Sequence, residues 1–193
     1  MLSPEFYESK QFYSKESFKE SQVSEHEFEQ CTFTHCSFAE IQLFQTKFVD
    51  CDFISCDFTH SILAETQFHT ANFYTSKLMG VDFRECNRFG LSLNFHESNL
   101  CFSVFQNLDL SNSRFLDCDL TEVDFSYANL TGAEFTNCQM RGAEFTKTKL
   151  VRAKLSNLDN LNIDLDNNKT ANMLIDHASL PGLLHKYKIK IRP

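Results

Sequence analysis

The residues best suited to chemistry in this 193-residue chain are eight cysteines and seven histidines. A structural zinc site typically needs two close pairs of ligands, of the kind that Cys-x-x-Cys motifs supply. No Cys-x-x-Cys motif occurs here. Six cysteines instead form pairs 20 residues apart, namely Cys31 with Cys51, Cys36 with Cys56, and Cys118 with Cys138. We interpret them as small buried apolar residues without disulfides and expect neither a metal nor a cofactor.

Catalytic and phosphate-binding signatures are also missing from the sequence. Acidic residues are abundant, but none stands at a recognisable spacing from a histidine or a nucleophile. The chain has five glycines and no glycine-rich phosphate loop. We therefore predict that the protein is not an enzyme.

The charge of the chain restricts its partners. The net charge is −8, and residues 1 to 146 hold 22 Asp and Glu against 9 Lys and Arg. Nucleic acids and anionic membranes attract cationic surfaces, so we expect neither as a partner. The sequence contains no run of 18 apolar residues, and its first residues lack the apolar core of a secretory signal. We expect a cytoplasmic protein.

A five-residue repeat must position all these side chains. Between Asp119 and Phe145 a Leu, Phe or Met returns at every fifth residue, and a small or short residue stands two places before each. This period fits neither an α-helix nor an ordinary strand, and a short fixed repeat is the mark of a solenoid. The same pattern runs from Phe18 to Phe83 and from Phe95 to Leu155.

The two blocks of repeats are out of phase. Phe83 and Phe95 are 12 residues apart, whereas the repeat requires 10, and an unbroken phase would bury Arg88. We predict a break near residues 87–92, with a small bulge formed by Asn87, Arg88, Phe89 and Gly90.

Both ends of the chain depart from the repeat. Residues 1–15 contain aromatic residues without clear register, which predicts an N-terminal cap. Residues 166–193 begin with a turn-forming cluster and form the C-terminal tail. In the tail, Ser179 is a candidate N-cap for a helix through Tyr187, and Ile189 to Ile191 alternate like a strand.

The repeats resemble those of the pentapeptide-repeat family, most clearly in Ala128-Asn129-Leu130-Thr131-Gly132 and Ala133-Glu134-Phe135-Thr136-Asn137. The resemblance covers residues 16–165. It implies an all-β solenoid, a right-handed quadrilateral β-helix in which four pentapeptides make one coil. The cysteine pairs support this interpretation because residues 20 apart are then neighbours in adjacent coils. We expect about seven coils and a short helix or strand in the tail.

Acidic residues on outward positions are the candidate partner-binding residues. They are Asp109, Asp117, Asp119, Glu122, Asp124, Glu134 and Glu144. Stacked like charges such as Asp124 and Glu144 repel each other, so a purely structural surface would more often alternate signs. The alternative is that the acidity only keeps a β-rich rod soluble.

Within the family, the chain resembles the subgroup that protects bacterial DNA gyrase, which includes the Qnr proteins, the mycobacterial fluoroquinolone-resistance protein and the albicidin-resistance protein. The resemblance implies a DNA mimic that binds gyrase or topoisomerase IV and protects it from a poison, giving quinolone or natural-product resistance or self-immunity. Alternatives are a scaffold with an unknown partner and a gyrase inhibitor without a protective role. The two projecting loops of Gram-negative Qnr proteins are missing here apart from the break.

The resemblance also implies a homodimer joined through the tail, with Leu180, Leu183, Leu184, Tyr187 and Ile189 in the interface. The alternative is that the tail caps a monomer. Three further aromatic residues, Phe44, Phe89 and Phe102, are predicted to face outward, where each is a candidate anchor for a partner.

Overall fold

The structure is a computed structural model that describes residues 6–189, and it confirms the predicted all-β solenoid. Residues 1–5 of the predicted cap, and Lys190 and Ile191 of the predicted terminal strand, lie outside the described residues. Within residues 6–189 the strands are short and pair only in parallel.

The described residues form thirteen strands, one short α-helix and four 3-10 segments. The strands are β1 Tyr7–Ser9, β2 Phe12–Ser14, β3 Glu27–Glu29, β4 Thr32–Thr34, β5 Lys47–Val49, β6 Asp52–Ile54, β7 Gln67–His69, β8 Ala71–Tyr74, β9 Leu93–His96, β10 Arg114–Leu116, β11 Glu134–Thr136, β12 Lys154–Ser156 and β13 Leu174–Ile175. The α-helix is α1 Glu20–Val23, and the 3-10 segments are Phe83–Glu85, Leu165–Asn167, Leu180–Leu183 and His185–Tyr187.

Backbone pairing divides the solenoid into four faces, numbered here in chain order. Face 1 is the sheet β1-β3-β5-β7, continued after the break by bridges from Asp109 to Lys169. Face 2 is the nine-stranded sheet β2-β4-β6-β8-β9-β10-β11-β12-β13. Face 3 follows the bridges from Ser17 to Asp159, and face 4 those from Gln42 to Glu144. Each face takes five residues of each coil, and the last of the five is the corner to the next face.

The core is built by the predicted central residues. Of those from Phe18 to Leu155, all are buried except Phe18, which is partly buried against the core. Parallel in-register pairing stacks identical side chains, because paired residues are one coil apart. Phe33, Phe53, Phe73 and Phe95 stack with ring centroids 4.9 to 5.2 Å apart. The abundance of phenylalanine is thus explained by core filling.

The corners have a backbone conformation that helices and strands do not use. The fifth residue of nearly every repeat has a positive φ, for example 59° at Glu40 and 62° at Asn112. Non-glycine residues adopt this left-handed conformation at a cost of roughly 1 to 2 kcal/mol each. The repeat is stable because most coils bury four central side chains against their neighbours.

The pairing register changes at the predicted break. Paired residues are 20 apart elsewhere but 22 apart across the break, as in Asn72 with Asn94 and Asp82 with Val104. Arg88 and Phe89 are exposed, and Gly90 has a φ of 68°. A Cβ at Gly90 would lie 2.8 Å from Nε2 of His69, so the bulge rests on that side chain.

The solenoid is longer at both ends than the repeat pattern predicts. Strands β1 and β2, within the predicted cap, pair with β3 and β4 and so form the first coil. Strand β13, within the predicted tail, pairs with β12. The count is therefore about eight turns rather than about seven. The repeat is interrupted there because Glu8 and Thr170 are not large and apolar, although Tyr13 and Ile175 hold the central positions of β2 and β13.

The tail differs from the predicted α-helix. Two 3-10 segments replace it, and the Ser179 side chain does not cap a helix but accepts a hydrogen bond from the Leu158 amide at 2.9 Å. Pro181 and Gly182 disfavour a regular helix there. Asn160, five residues after the central residue Leu155, is exposed, and Leu161 is buried instead.

Candidate functional site

The seven predicted partner-binding residues do not share one face. None is buried, so their outward orientation is as expected. However, Asp109 lies on face 1, Asp117 and Glu134 on face 2, Asp119 and Glu122 on face 3, and Asp124 and Glu144 on face 4. Their spacing of 5, 10 or 15 residues explains this distribution, because each step of five moves to the next face. Asp124 and Glu144 pair in adjacent coils, as predicted.

Faces 3 and 4 carry most of the negative charge. Face 3 has seven carboxylates and three cations, and face 4 has eight carboxylates and two cations. The carboxylates are Glu16, Glu20, Glu40, Asp57, Asp119, Glu122 and Asp159 on face 3, and Glu25, Glu65, Asp82, Glu85, Asp124, Glu144, Asp164 and Asp166 on face 4. The two faces are adjacent and meet at Glu20, Glu40 and Glu122, so they form one acidic surface.

The sequence-based prediction missed eleven of these carboxylates, since its seven residues all lie in the second repeat block. They include Glu20 and Glu40, at the edge between the two faces, and Glu65 at the far corner of face 4. They can be identified from the sequence by the position of each residue within the 20-residue coil. The numbering of these positions shifts by two residues after the break.

Several aspartates on this surface also stabilise the turns. Asp119 and Asp124 accept hydrogen bonds from the amides of Thr121 and Ser126, at 3.0 and 2.7 Å. Asp109 does the same for the amide of Ser111 on face 1. Such aspartates fix the chain as it leaves the central residue.

The hydrogen bonds also lower the pKa of Asp119 and of Asp109. Partial burial alone would raise the pKa of Asp119, but the hydrogen bonds from Thr121 outweigh burial and leave that pKa below its usual value. The pKa of Asp109 is lowered in the same way by Ser111 and Asn129, against the effect of burial.

Three exposed aromatic residues lie within the acidic surface, namely Phe44, Phe102 and, at the corner from face 4 to face 1, Tyr127. Phe102 is 59% exposed at the corner between faces 3 and 4, and its amide bonds to the carbonyl of Thr121 in the coil of Glu122. Phe44 lies on face 4. Phe44 and Phe102 face outward as predicted, and Phe89 does so at the break.

Only part of the predicted dimer interface is accessible. Leu183 is 7% exposed and belongs to the core cluster, so it caps the last coil and is not available to a second copy. Leu184 is partly buried, while Leu180, Tyr187 and Ile189 are exposed. The homodimer itself stays a prediction.

The cysteines lie inside the rod, and all eight are free and buried. Burial raises the pKa of Cys86 well above its usual value. In the part of the chain that the structure describes, no group of three or more His, Cys, Asp or Glu side chains is placed to hold a metal ion. No helix among the same residues is long and apolar enough to cross a membrane.

A four-faced solenoid of five-residue repeats defines the class of protein. The family described as pentapeptide repeats matches this chain in eight copies, over residues 51–87 and 118–157. The residues between the two matched stretches include the break. The chain accordingly carries pentapeptide repeats of this family over these two stretches. No curated protein sequence matches it.

Solved structures of the same architecture include QnrB1, a plasmid-mediated fluoroquinolone resistance protein. The full-length structure has a TM-score of 0.51 and 19% identity, over 95% of this chain and 100% of QnrB1. A trypsin-treated variant of QnrB1 has a TM-score of 0.52 and 17% identity, over 96% of this chain and 100% of the variant. HetL, a pentapeptide-repeat protein from the cyanobacterium Nostoc sp. strain PCC 7120, has a TM-score of 0.49 and 15% identity, over 88% of this chain and 86% of HetL. At 19% identity, the likeness to QnrB1 concerns the fold alone.

Proposed function

We propose that this protein is a binding protein without catalytic activity, a DNA mimic that binds DNA gyrase or topoisomerase IV in the cytoplasm. In this role it protects the enzyme from a poison. The observation that carries the proposal is the continuous acidic surface of faces 3 and 4. Eight coil steps of about 4.8 Å make a rod of about 38 Å. Fifteen carboxylates along it give about 0.4 per Å, of the order of the roughly 0.6 charges per Å of duplex DNA.

The fold of QnrB1 supports this proposal, since that protein is described as conferring fluoroquinolone resistance. Phe102 adds a preference for a protein partner. An aromatic ring exposed among carboxylates suits a surface that is cationic and has an apolar pocket, whereas carboxylates alone suit any cation.

The alternative is a scaffold whose acidity serves solubility alone. Solubility requires net charge but not its concentration on two adjacent faces, and face 1 is nearly balanced in charge. The segregation of charge between the faces therefore favours the binding function.

A DNA supercoiling assay with purified gyrase tests the proposal. We expect the protein to restore supercoiling in the presence of a quinolone or an albicidin-type poison, and to compete with DNA for gyrase. Inhibition without protection would support the third possibility, a gyrase inhibitor. The absence of inhibition, protection and competition would refute the proposal.

A further inference from the structure

Face 1 has a charge pattern of which the proposed function uses only Glu25, at the corner shared with face 4. Its coils follow in order with the central residues Glu8, Phe28, Phe48 and Phe68, then the break, then Leu110, Leu130, Leu150 and Thr170. With the break counted as one rung, face 1 has nine rungs separated by eight turns, and the break is the middle rung. Acidic residues gather before it and basic residues after it, so the face has an acidic and a basic half.

The two ends of this pattern are equally far from the break. The coil of Phe28 presents Glu27 and Glu29, with Glu25 at the corner shared with face 4, and the coil of Leu150 presents Lys149 and Arg152, with Lys147 at the same corner. Each of these coils is three steps from the break, or about 14 Å along the rod. Lys147, Lys149 and Arg152 form no ion pair with residues 6–189, although Lys147 lies 5.6 Å from the ring centroid of Tyr127.

The break itself presents an aromatic ring. Phe89 is 81% exposed, the highest value among the large apolar side chains that the structure describes. Its carbonyl accepts a hydrogen bond from Nε2 of His69 at 2.8 Å, and its amide donates to Oδ1 of Asn87 at 3.0 Å. The ring is thus exposed on a bulge that is held in place.

We propose that face 1 binds a second copy of this chain, antiparallel and face to face, with a two-fold axis at Phe89. This two-fold axis lies in the interface, perpendicular to the rod, so the second rod runs in the opposite direction. Each corner of face 1 then meets the same corner of the second copy. It brings Lys149 opposite Glu27 of the second copy and Lys147 opposite Glu25. It also brings Phe89 against its own symmetry mate.

Away from the axis, the other charges of the face meet neutral residues. Lys47 falls opposite Asn129, and Asp109 falls opposite Gln67. Like charges meet only on the axis itself, where the exposed Arg88 lies beside Phe89 and faces its own symmetry mate. Two independent features, the charge pattern and the exposed ring, therefore share one axis. Face 3, on the opposite side of the rod, stays exposed in such a dimer, and this inference does not depend on the identity of any other partner.

Disulfide trapping tests the axis directly, because only a residue close to its own symmetry mate forms a disulfide with itself. The eight native cysteines are buried and give little background. In the full chain, Phe89→Cys should give a covalent dimer in a mild redox buffer. Lys154→Cys on face 2 should stay monomeric. Trapping through Tyr187→Cys instead, or no trapping at residue 89, would overturn the proposal.

A charge exchange supplies the second test, read by sedimentation equilibrium. Lys147→Glu with Lys149→Glu makes both ends acidic, and Glu25→Lys with Glu27→Lys makes both ends basic. The dimer dissociation constant of each double variant should rise about tenfold or more. An equimolar mixture of the two variants should form a heterodimer with the wild-type dissociation constant. Circular dichroism checks that both variants are folded. A wild-type monomer at all concentrations, or variants that dimerise like the wild type, would contradict the proposal.

Discussion

The carboxylate of Asp119 accepts hydrogen bonds from both the amide and the hydroxyl of Thr121, at 3.0 and 2.6 Å. One side chain thus contributes charge to the acidic surface and stabilises the turn at the edge of face 3. Asn129 bonds to Thr131 in the same way on face 1, so an amide oxygen serves the turn as well as a carboxylate does.

This double role predicts different effects for two substitutions of Asp119. Asp119→Ala should lower the free energy of unfolding by about 1 kcal/mol, because the turn loses its acceptor. Asp119→Asn should cost less than half of that, because it keeps the acceptor. Urea unfolding followed by circular dichroism measures both. Equal losses for the two variants would show that the charge, and not the hydrogen bond, stabilises the turn.

The position of Leu183 predicts a stability effect rather than a dimerisation effect. Leu183→Ala should lower the free energy of unfolding by about 2 to 3 kcal/mol, since it removes a buried side chain from the cap of the last coil. The control is Leu180→Ala, at a site that is 40% exposed, with an expected cost below about 1 kcal/mol. A Leu183 variant of normal stability but altered mass in light scattering would restore its predicted place in a dimer interface.

The attachment of the tail should depend on pH through Asp176. Hydrogen bonds from Ser179, followed by that from the Asn157 amide, lower the pKa of Asp176 to about 2, compared with about 3.9 in an unfolded chain. The stabilisation is therefore complete above about pH 4 and is lost as the pH falls towards 2.

The measurement for Asp176 is the melting temperature of the wild type and of Asp176→Asn between pH 7 and pH 2. The wild type should melt higher at pH 7, and the difference should vanish near pH 2. A difference independent of pH would mean that the carboxylate is not the group responsible.

The exposed ring of Phe102 gives a prediction about the partner. If a protein binds the edge between faces 3 and 4, Phe102→Ala should weaken binding to gyrase by about tenfold or more without changing stability. Phe12→Ala is a control at an exposed aromatic site on face 2 in the first coil. Equal affinities for the two variants would place the contact elsewhere.

The sequence predicted the solenoid, its core and its break because all three follow from one local rule, a large apolar residue in every fifth position. The rule fails where the rung has no such residue, as at Glu8 and Thr170, and the extra coils were missed there. The residues of the acidic surface were only partly predicted. Asp109 and Glu134 look like Asp119 in the sequence, and only the face on which each one lies separates them.

The tail was the least predictable element. Leu180, Leu183 and Leu184 fit the apolar face of a helix, but Pro181 and Gly182 between them favour 3-10 turns. Burial of Leu183 follows from its contact with the last coil, a long-range contact that no local pattern contains.

The most direct test of the DNA-mimic account compares charge reversals on two surfaces in competition with DNA for gyrase. Glu40→Lys, Glu122→Lys and Glu144→Lys reverse three carboxylates of faces 3 and 4. Glu97→Lys, Asp117→Lys and Glu134→Lys reverse three on face 2, so both triple variants change the net charge equally. The account predicts that the first variant loses most of its ability to displace DNA, with a weaker salt dependence, while the second stays close to the wild type. Equal behaviour of the two variants would contradict it.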